Sequence, residues 1–160
     1  MVLFIARRFP IILSAVLIGG ILGCGQPTGE NPDEAASVAL IQKLHGKVEF
    51  DKPGKDQCVV KVYLHNTAVK DADLAALEKL PKLRNLFLGK TQIGDAGLEH
   101  LQKSGELQTL SLNSTRVTDA GLKSLTELTD LKTLNVQETK VTVEGAAQLR
   151  KAIPGVTIAR

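Results

Sequence analysis

Few residues in this 160-residue chain could do chemistry. Cys24 and Cys58 are its two cysteines, and a thiol becomes a strong nucleophile once it ionises. His45, His65 and His100 are the three histidines, the side chains able to carry a proton or bind a metal near neutral pH. Nothing in their spacing joins them to carboxylates as a metal site would require. They read as structural or solvent-facing: His45 at a helix end, His65 in a strand and His100 on a helix. No Ser–His–Asp arrangement, glycine-rich phosphate loop or paired-cysteine motif is visible. The residues therefore point away from catalysis and call for no cofactor. What remains is one sulfur in an unusual setting, Cys24, and a set of polar and aromatic side chains whose meaning depends on the elements carrying them.

The setting of Cys24 is a leader. Arg7 and Arg8 close a basic start, and an apolar run follows from Ile11 to Leu22. A bilayer span needs roughly 20 residues, so the run is short for one. A basic start, an apolar stretch and small residues at its end describe a secretory signal. Ile21-Leu22-Gly23-Cys24 resembles the bacterial lipobox. The resemblance implies diacylglyceryl transfer to the Cys24 sulfur, cleavage after Gly23 and acylation of the new amino terminus. A plain cleaved signal or a retained helix is the alternative. Acyl chains anchor firmly, each buried methylene contributing about 0.8 kcal/mol. Gly25, where enteric lipoproteins retained at the inner membrane carry Asp, favours by analogy an outer membrane if the cell has one. On this reading residues 1–23 are the signal, and 24–31 are the lipidated cysteine and a short tether. With Cys24 lipidated, Cys58 is left as a lone thiol, for which partly buried packing is favoured over an intermolecular disulfide.

Charge excludes one class of partner. The formal net charge of +3 includes Arg7 and Arg8; without them 18 basic residues face 17 acidic ones, which gives no reason to expect nucleic acid. Only 3% of residues are aromatic and 43% are hydrophobic, so the apolar content is mostly aliphatic. That suits thin layers stacked side by side better than one bulky core.

Such layers are written into a repeat. Leu83–Glu106, Leu107–Asp130 and Leu131–Gly155 align at a spacing of 24, the last with one extra residue, and Val59–Lys82 fits the same frame upstream. Positions one, four and six are apolar in every copy: Val59, Val62, Leu64; Leu83, Leu86, Leu88; Leu107, Leu110, Leu112; Leu131, Leu134, Val136. Alternation at four and six predicts a short strand with one face buried. Thr67, Thr91, Thr115 and Thr139 follow at position nine, and Val69, Ile93, Val117 and Val141 at eleven. The period then changes. Leu122, Leu125 and Leu128 recur every three residues, behind Thr118 as N-cap and Asp119 in the first turn. Each repeat is thus strand, turn and helix. About seven apolar side chains at roughly 2 kcal/mol each cannot offset the ordering of 24 residues at about 1–2 kcal/mol apiece, so the copies must share a core.

Residues 115–122, Thr-Arg-Val-Thr-Asp-Ala-Gly-Leu, resemble the bacterial, planctomycete-type form of the leucine-rich repeat. The resemblance covers about residues 59–160. It implies an α/β solenoid with a parallel sheet on a concave face and helices on a convex face. Thr replaces the family's usual Asn at position nine in all copies, and a structural threonine ladder is the expectation. Repeat two is the least regular, with Gly94 at the cap and Ser104-Gly105 where a Leu belongs. Gly97, Gly121 and Gly145 recur at helix starts and read as close-packing positions.

The ends need lids. Asn31-Pro32-Asp33-Glu34 signals a helix start, Val38, Ile41 and Leu44 mark its apolar stripe, and Gly46 stops it. Lys47–Asp51 reads as a strand, too near Val59 for a parallel crossover and so antiparallel to the first repeat strand. Residues 32–58 therefore form an N-terminal cap and 59–160 the repeats with a final strand at Val156–Ile158.

In this frame positions three, five and seven point outward. The outward set is polar, with one aromatic spot where Tyr63 lies beside Phe87 about 4.8 Å along the ladder. A cross-strand pair can merely stabilise a sheet, or anchor a ligand as interface aromatics do. The candidate binding residues are Tyr63 and Phe87, with Lys61, His65, Asn85, Ser111 and Asn113 around them. The reading is a non-catalytic, membrane-anchored module that binds a protein or other envelope ligand outside the cytoplasm. Its rival is an envelope spacer without a specific ligand.

Overall fold

The computed structural model describes residues 32–53 and 57–160. The signal, Cys24, the tether and the Asn31 cap lie outside the described residues. Helix α1 spans Pro32–Lys43, starting on a proline whose missing N–H is not needed in a first turn. Strands β1 (Lys47–Phe50), β2 (Val59–Tyr63), β3 (Asn85–Phe87), β4 (Thr109–Ser111), β5 (Thr133–Asn135) and β6 (Thr157–Ala159) form one sheet in sequence order. β1 runs antiparallel to β2, as the short connection requires, and every later pair is parallel.

The parallel register is uniform. Val62, Leu86, Leu110, Leu134 and Ile158 stand opposite one another, each 24 residues from the next. This corrects the expected extra residue in the last repeat: the step stays at 24, and the final strand begins at Thr157, one residue later than expected. The inward positions Val62, Leu64, Leu86, Leu88, Leu110, Leu112, Leu134 and Val136 join one continuous buried cluster. The strands are short because the chain turns as soon as position six is buried. Asn66, Lys90, Ser114 and Glu138 at position eight adopt the left-handed conformation, with φ of 57, 57, 56 and 56°. The next residue then bends back: the hydroxyls of Thr67, Thr91, Thr115 and Thr139 each donate to the carbonyl three residues earlier, at 2.6–2.7 Å. The threonine ladder is therefore structural.

The convex side is thinner than a run of α-helices. The first repeat has a 3-10 helix at Asp71–Lys79, then come α2 (Asp95–Glu99), α3 (Asp119–Leu122) with a 3-10 turn at Lys123–Leu125, and α4 (Val143–Ala152). Leucines every three residues match the three-residue turn of a 3-10 helix, in which i and i+3 eclipse, as well as they match an α-helix. Thr118 caps α3 as expected, its hydroxyl accepting from the Ala120 N–H at 3.1 Å.

Two features of the cap differ from the expectation. The inner face of α1 is Glu34, Ser37 and Ile41, with Val38 and Leu44 only half-buried at its flanks. The first repeat has no repeat before it to satisfy its backbone, and α1 supplies those partners. Glu34 Oε1 accepts the Val59 N–H at 2.6 Å, and Ser37 Oγ donates to the Ala76 carbonyl at 2.8 Å. At the end of α1 the left-handed residue is His45, φ 60°, not Gly46. The Gly46 N–H returns to the Ile41 carbonyl and the His45 N–H to that of Gln42, closing the helix in a Schellman turn. Gly46 is needed for room: a Cβ there would lie 2.7–2.8 Å from Leu64, Ile41 and the Tyr63 carbonyl.

Adjacent repeats are joined by a carboxylate. Asp95 accepts the Thr118 N–H at 2.8 Å and its hydroxyl at 2.7 Å, and Asp119 treats Thr142 identically. Asp71 reaches Gly94, which lacks the hydroxyl, and makes one such bond at 2.7 Å. The recurrent glycines make space for this clamp. A Cβ on Gly97, Gly121 or Gly145 would run into Oδ1 of Asp71, Asp95 or Asp119 respectively. The bonds from Thr142 hold the Asp119 carboxyl below its usual range. Its contribution to stability is therefore complete above about pH 4 and is lost as the pH falls through that lowered pKa.

The clamp is testable by a double-mutant cycle in urea. Gly121→Ala should destabilise by about 1–3 kcal/mol through overpacking against Asp95. Combined with Asp95→Ala, which removes the obstructing carboxylate, it should cost clearly less than the sum of the single changes. Additive effects would show that Gly121 is not there to admit Asp95.

Candidate functional site

Period-two alternation sends Tyr63 and Phe87 out of the sheet on the face opposite the leucine core, and the parallel register sets them side by side. Their rings stack with centroids 4.9 Å apart and planes within 4° of parallel. The separation equals the strand spacing, so the backbone imposes the stack. His65, two residues on, meets the Tyr63 ring edge-on at 6.5 Å and 82°.

An ion pair fixes the outer end of the stack. Glu49 on β1 lies opposite Lys61 on β2. One Glu49 oxygen accepts the Tyr63 hydroxyl at 2.9 Å and the other meets Lys61 Nζ at 2.8 Å. The Lys61 and Tyr63 hydrogen bonds lower the Glu49 carboxyl below its usual range. The same contacts raise Lys61 and raise the Tyr63 phenol, because its proton is held by a carboxylate.

Beyond the stack an open groove of about 560 Å³ is lined by Tyr63, His65, Asn66, Phe87, Gly89, Lys90, Ser111 and Asn113. Ser111 Oγ donates to Asn113 Oδ1 at 3.0 Å. The structure thus brings five of the candidates together: Tyr63, His65, Phe87, Ser111 and Asn113. Lys61 and Asn85 share the face as register partners but lie outside the groove, and the Lys61 side chain pairs with Glu49. Cys24, the candidate lipid site, lies outside the described residues.

Sequence reasoning missed Glu49, Asn66 and Lys90, and left Gly89 out of the candidate set. Glu49 was within reach, since an antiparallel hairpin fixes a charge partner for Lys61. Asn66 and Lys90 were hidden because a strict strand alternation ends at position seven, while the left-handed turn at eight brings those residues back to the groove. Among the described residues no group of three or more His, Cys, Asp or Glu could hold a metal ion. Cys58 is buried and disulfide-bonded, which corrects the expected lone thiol. No helix among the described residues is long and apolar enough to cross a membrane.

Residues 107–125 match the sequence family described as Leucine Rich repeat. The fold is a leucine-rich-repeat solenoid. Its strand–turn–helix units, uniform register and single leucine core establish this independently of any relative. Among solved structures, an internalin from Listeria monocytogenes is 20% identical over 62% of this chain and 34% of its own, with a TM-score of 0.43. A leucine-rich-repeat protein from Leptospira interrogans is 17% identical over 54% of this chain and 27% of its own, with a TM-score of 0.40. This chain thus spans about a third or less of each of those proteins. No curated protein matches it. Among the described residues, the stacked Tyr63 and Phe87 rings lie on the concave face of the solenoid.

The chain holds one tyrosine and no tryptophan, so ultraviolet titration of the phenol reads Tyr63 alone. Glu49→Gln should bring its raised pKa down toward the usual value of about 10. An unchanged titration curve would mean that Glu49 does not hold the ring in solution.

Proposed function

We propose that this leucine-rich-repeat chain is a non-catalytic binding module, tethered to a membrane by lipid on Cys24 and displayed outside the cytoplasm. Its partner is a protein that docks on the concave face around Tyr63 and Phe87. The observation that carries the reading is the aromatic stack itself. Aromatic anchors take a disproportionate share of interface energy, and this pair is already stacked and hydrogen-bonded to Glu49, so less ordering remains to be done on binding. The surrounding Asn66, His65, Ser111 and Asn113 provide a polar rim of the kind interfaces have. An open sheet face encloses no water-excluding cavity, which supports binding over catalysis.

Tyr63→Ala with Phe87→Ala should leave the fold nearly intact and lower partner capture at least tenfold, about 1.4 kcal/mol. Lys123→Ala with Glu127→Ala on the convex face should leave capture unchanged. Loss of capture from the convex change alone would move the binding surface to the helices. Recovery of bulk envelope material without one stoichiometric partner would support a spacer instead.

The anchor has its own test. Cys24→Ala should abolish fatty-acid labelling, and undiminished labelling would remove the lipoprotein reading. The Cys58 disulfide sharpens it. A sulfur in a thioether cannot also form a disulfide, and the chain has two cysteines. Lipidated Cys24 therefore requires Cys58 to be reduced or joined to another molecule. The intact mass of the membrane-extracted chain under non-reducing conditions distinguishes these states: addition of acyl mass supports the anchor, and an unlipidated chain with an internal disulfide excludes it.

A further inference from the structure

The outward ladder at position seven reads His65, Gly89, Asn113 and Gln137. Gly89 is its one member without a side chain, and it falls two residues after Phe87. The gap has two structural consequences. Asn113 leans over Gly89, its amide occupying the space a Cβ would need. The ring of Phe87 is stacked on Tyr63 on one side, and its ladder neighbour on the other is Ser111, too short to cover an aromatic face. An apolar wall therefore stands in a groove whose lining also includes Asn66, Lys90 and, lying over the Gly89 backbone, the Asn113 amide.

The charge around this pocket is one-sided. Lys90 lines it, together with His65, and no carboxylate does. The nearest acid on β1, Glu49, has both oxygens engaged by Lys61 and Tyr63. Glu138 lies two repeats away on the position-eight ladder and accepts from Ser114. The Asn113 carbonyl oxygen takes the Ser111 hydroxyl, which leaves its amide N–H groups as donors. Donors and a cation beside an apolar wall fit a ligand bearing an apolar group next to an anionic oxygen.

We infer that the groove beside Gly89 is a subsite for a partner segment in which an aliphatic side chain is followed by a carboxylate: the side chain packs on the Phe87 face turned toward Ser111, and the carboxylate meets Lys90 and the Asn113 amide. This rests on the concave-face reading above and narrows it to one partner chemistry.

Because Tyr63 is the sole tyrosine in a chain without tryptophan, its emission reports the stack directly. The probe is the blocked peptide acetyl-Gly-Leu-Asp-Gly-amide, titrated into the full-length chain in detergent, with the Leu-Asn peptide and maltotriose alongside. The Leu-Asp peptide should change Tyr63 emission saturably and bind at least fivefold more tightly than the Leu-Asn peptide. Lys90→Gln should abolish that preference. Gly89→Ala, which displaces only the flexible end of Asn113, should weaken the Leu-Asp peptide at least fivefold with an unchanged unfolding midpoint. Equal binding of the two peptides, no saturable response to Leu-Asp, or a response to maltotriose alone would each overturn the subsite. Partner capture separates the two levels. If Tyr63→Ala with Phe87→Ala abolishes capture while Gly89→Ala and Lys90→Gln leave it unchanged, the concave-face reading stands and the subsite falls.

Discussion

The carboxylate that joins each repeat to the next governs the rest of the molecule. A stack of identical units can slip or fan apart unless each neighbour is indexed, and leucines packing on leucines index poorly because hydrophobic contact has no direction. Asp71, Asp95 and Asp119 supply direction. Each binds the helix start of the following repeat, and each fits only because Gly97, Gly121 or Gly145 has no side chain in its way. The parallel register of β2 to β6 then advances by the same 24 residues at every step. The Tyr63–Phe87 stack follows from that constancy, since two outward side chains stack face to face only if their strands stay in step.

The first repeat shows the same constraint by exception. It has Asp73 where the later copies have glycine, and no aspartate from a preceding repeat needs that space. The Asp73 carboxylate instead accepts the Lys70 N–H at 2.9 Å. Glu34 and Ser37 of α1 serve the other backbone groups that a preceding repeat would have satisfied. A buried, hydrogen-bonded polar group can hold an end cap in one orientation where a purely apolar contact would let it slide.

Most of the solenoid was legible because its signals are periodic. Positions one, four and six, the outward alternation and the threonine at nine each occur four times, and a repeated pattern separates side-chain roles even without an alignment. What escaped was singular or non-local. The burial of Glu34 and Ser37 is invisible to a hydropathy stripe, which can register only the apolar half of an interface. The exchange of roles between His45 and Gly46 defeats a rule that gives the left-handed position to glycine, because here packing against Leu64 and Ile41 had the stronger claim on it. Aspartate in a helix first turn read as a local dipole effect, whereas its partners are one repeat away. In the groove the aromatic pair was legible from alternation alone. Lys90 and Asn66 were not, since left-handed turns redirect side chains after the strand ends.

A stacked aromatic pair stands on an open sheet face, held by Glu49 and Lys61 at one side and bordered by Gly89 and Asn113 at the other. On the proposed function this face, and not the helical side, meets the partner. The most direct measurement is site-specific photocrosslinking in cells that express the chain. A benzophenone side chain replaces Asn85, outward on the same strand as Phe87, in one chain and Lys123 on the convex face in another. A single adduct of defined mass from position 85, with none from position 123, is the predicted result. An adduct from position 123 with none from position 85 would contradict it.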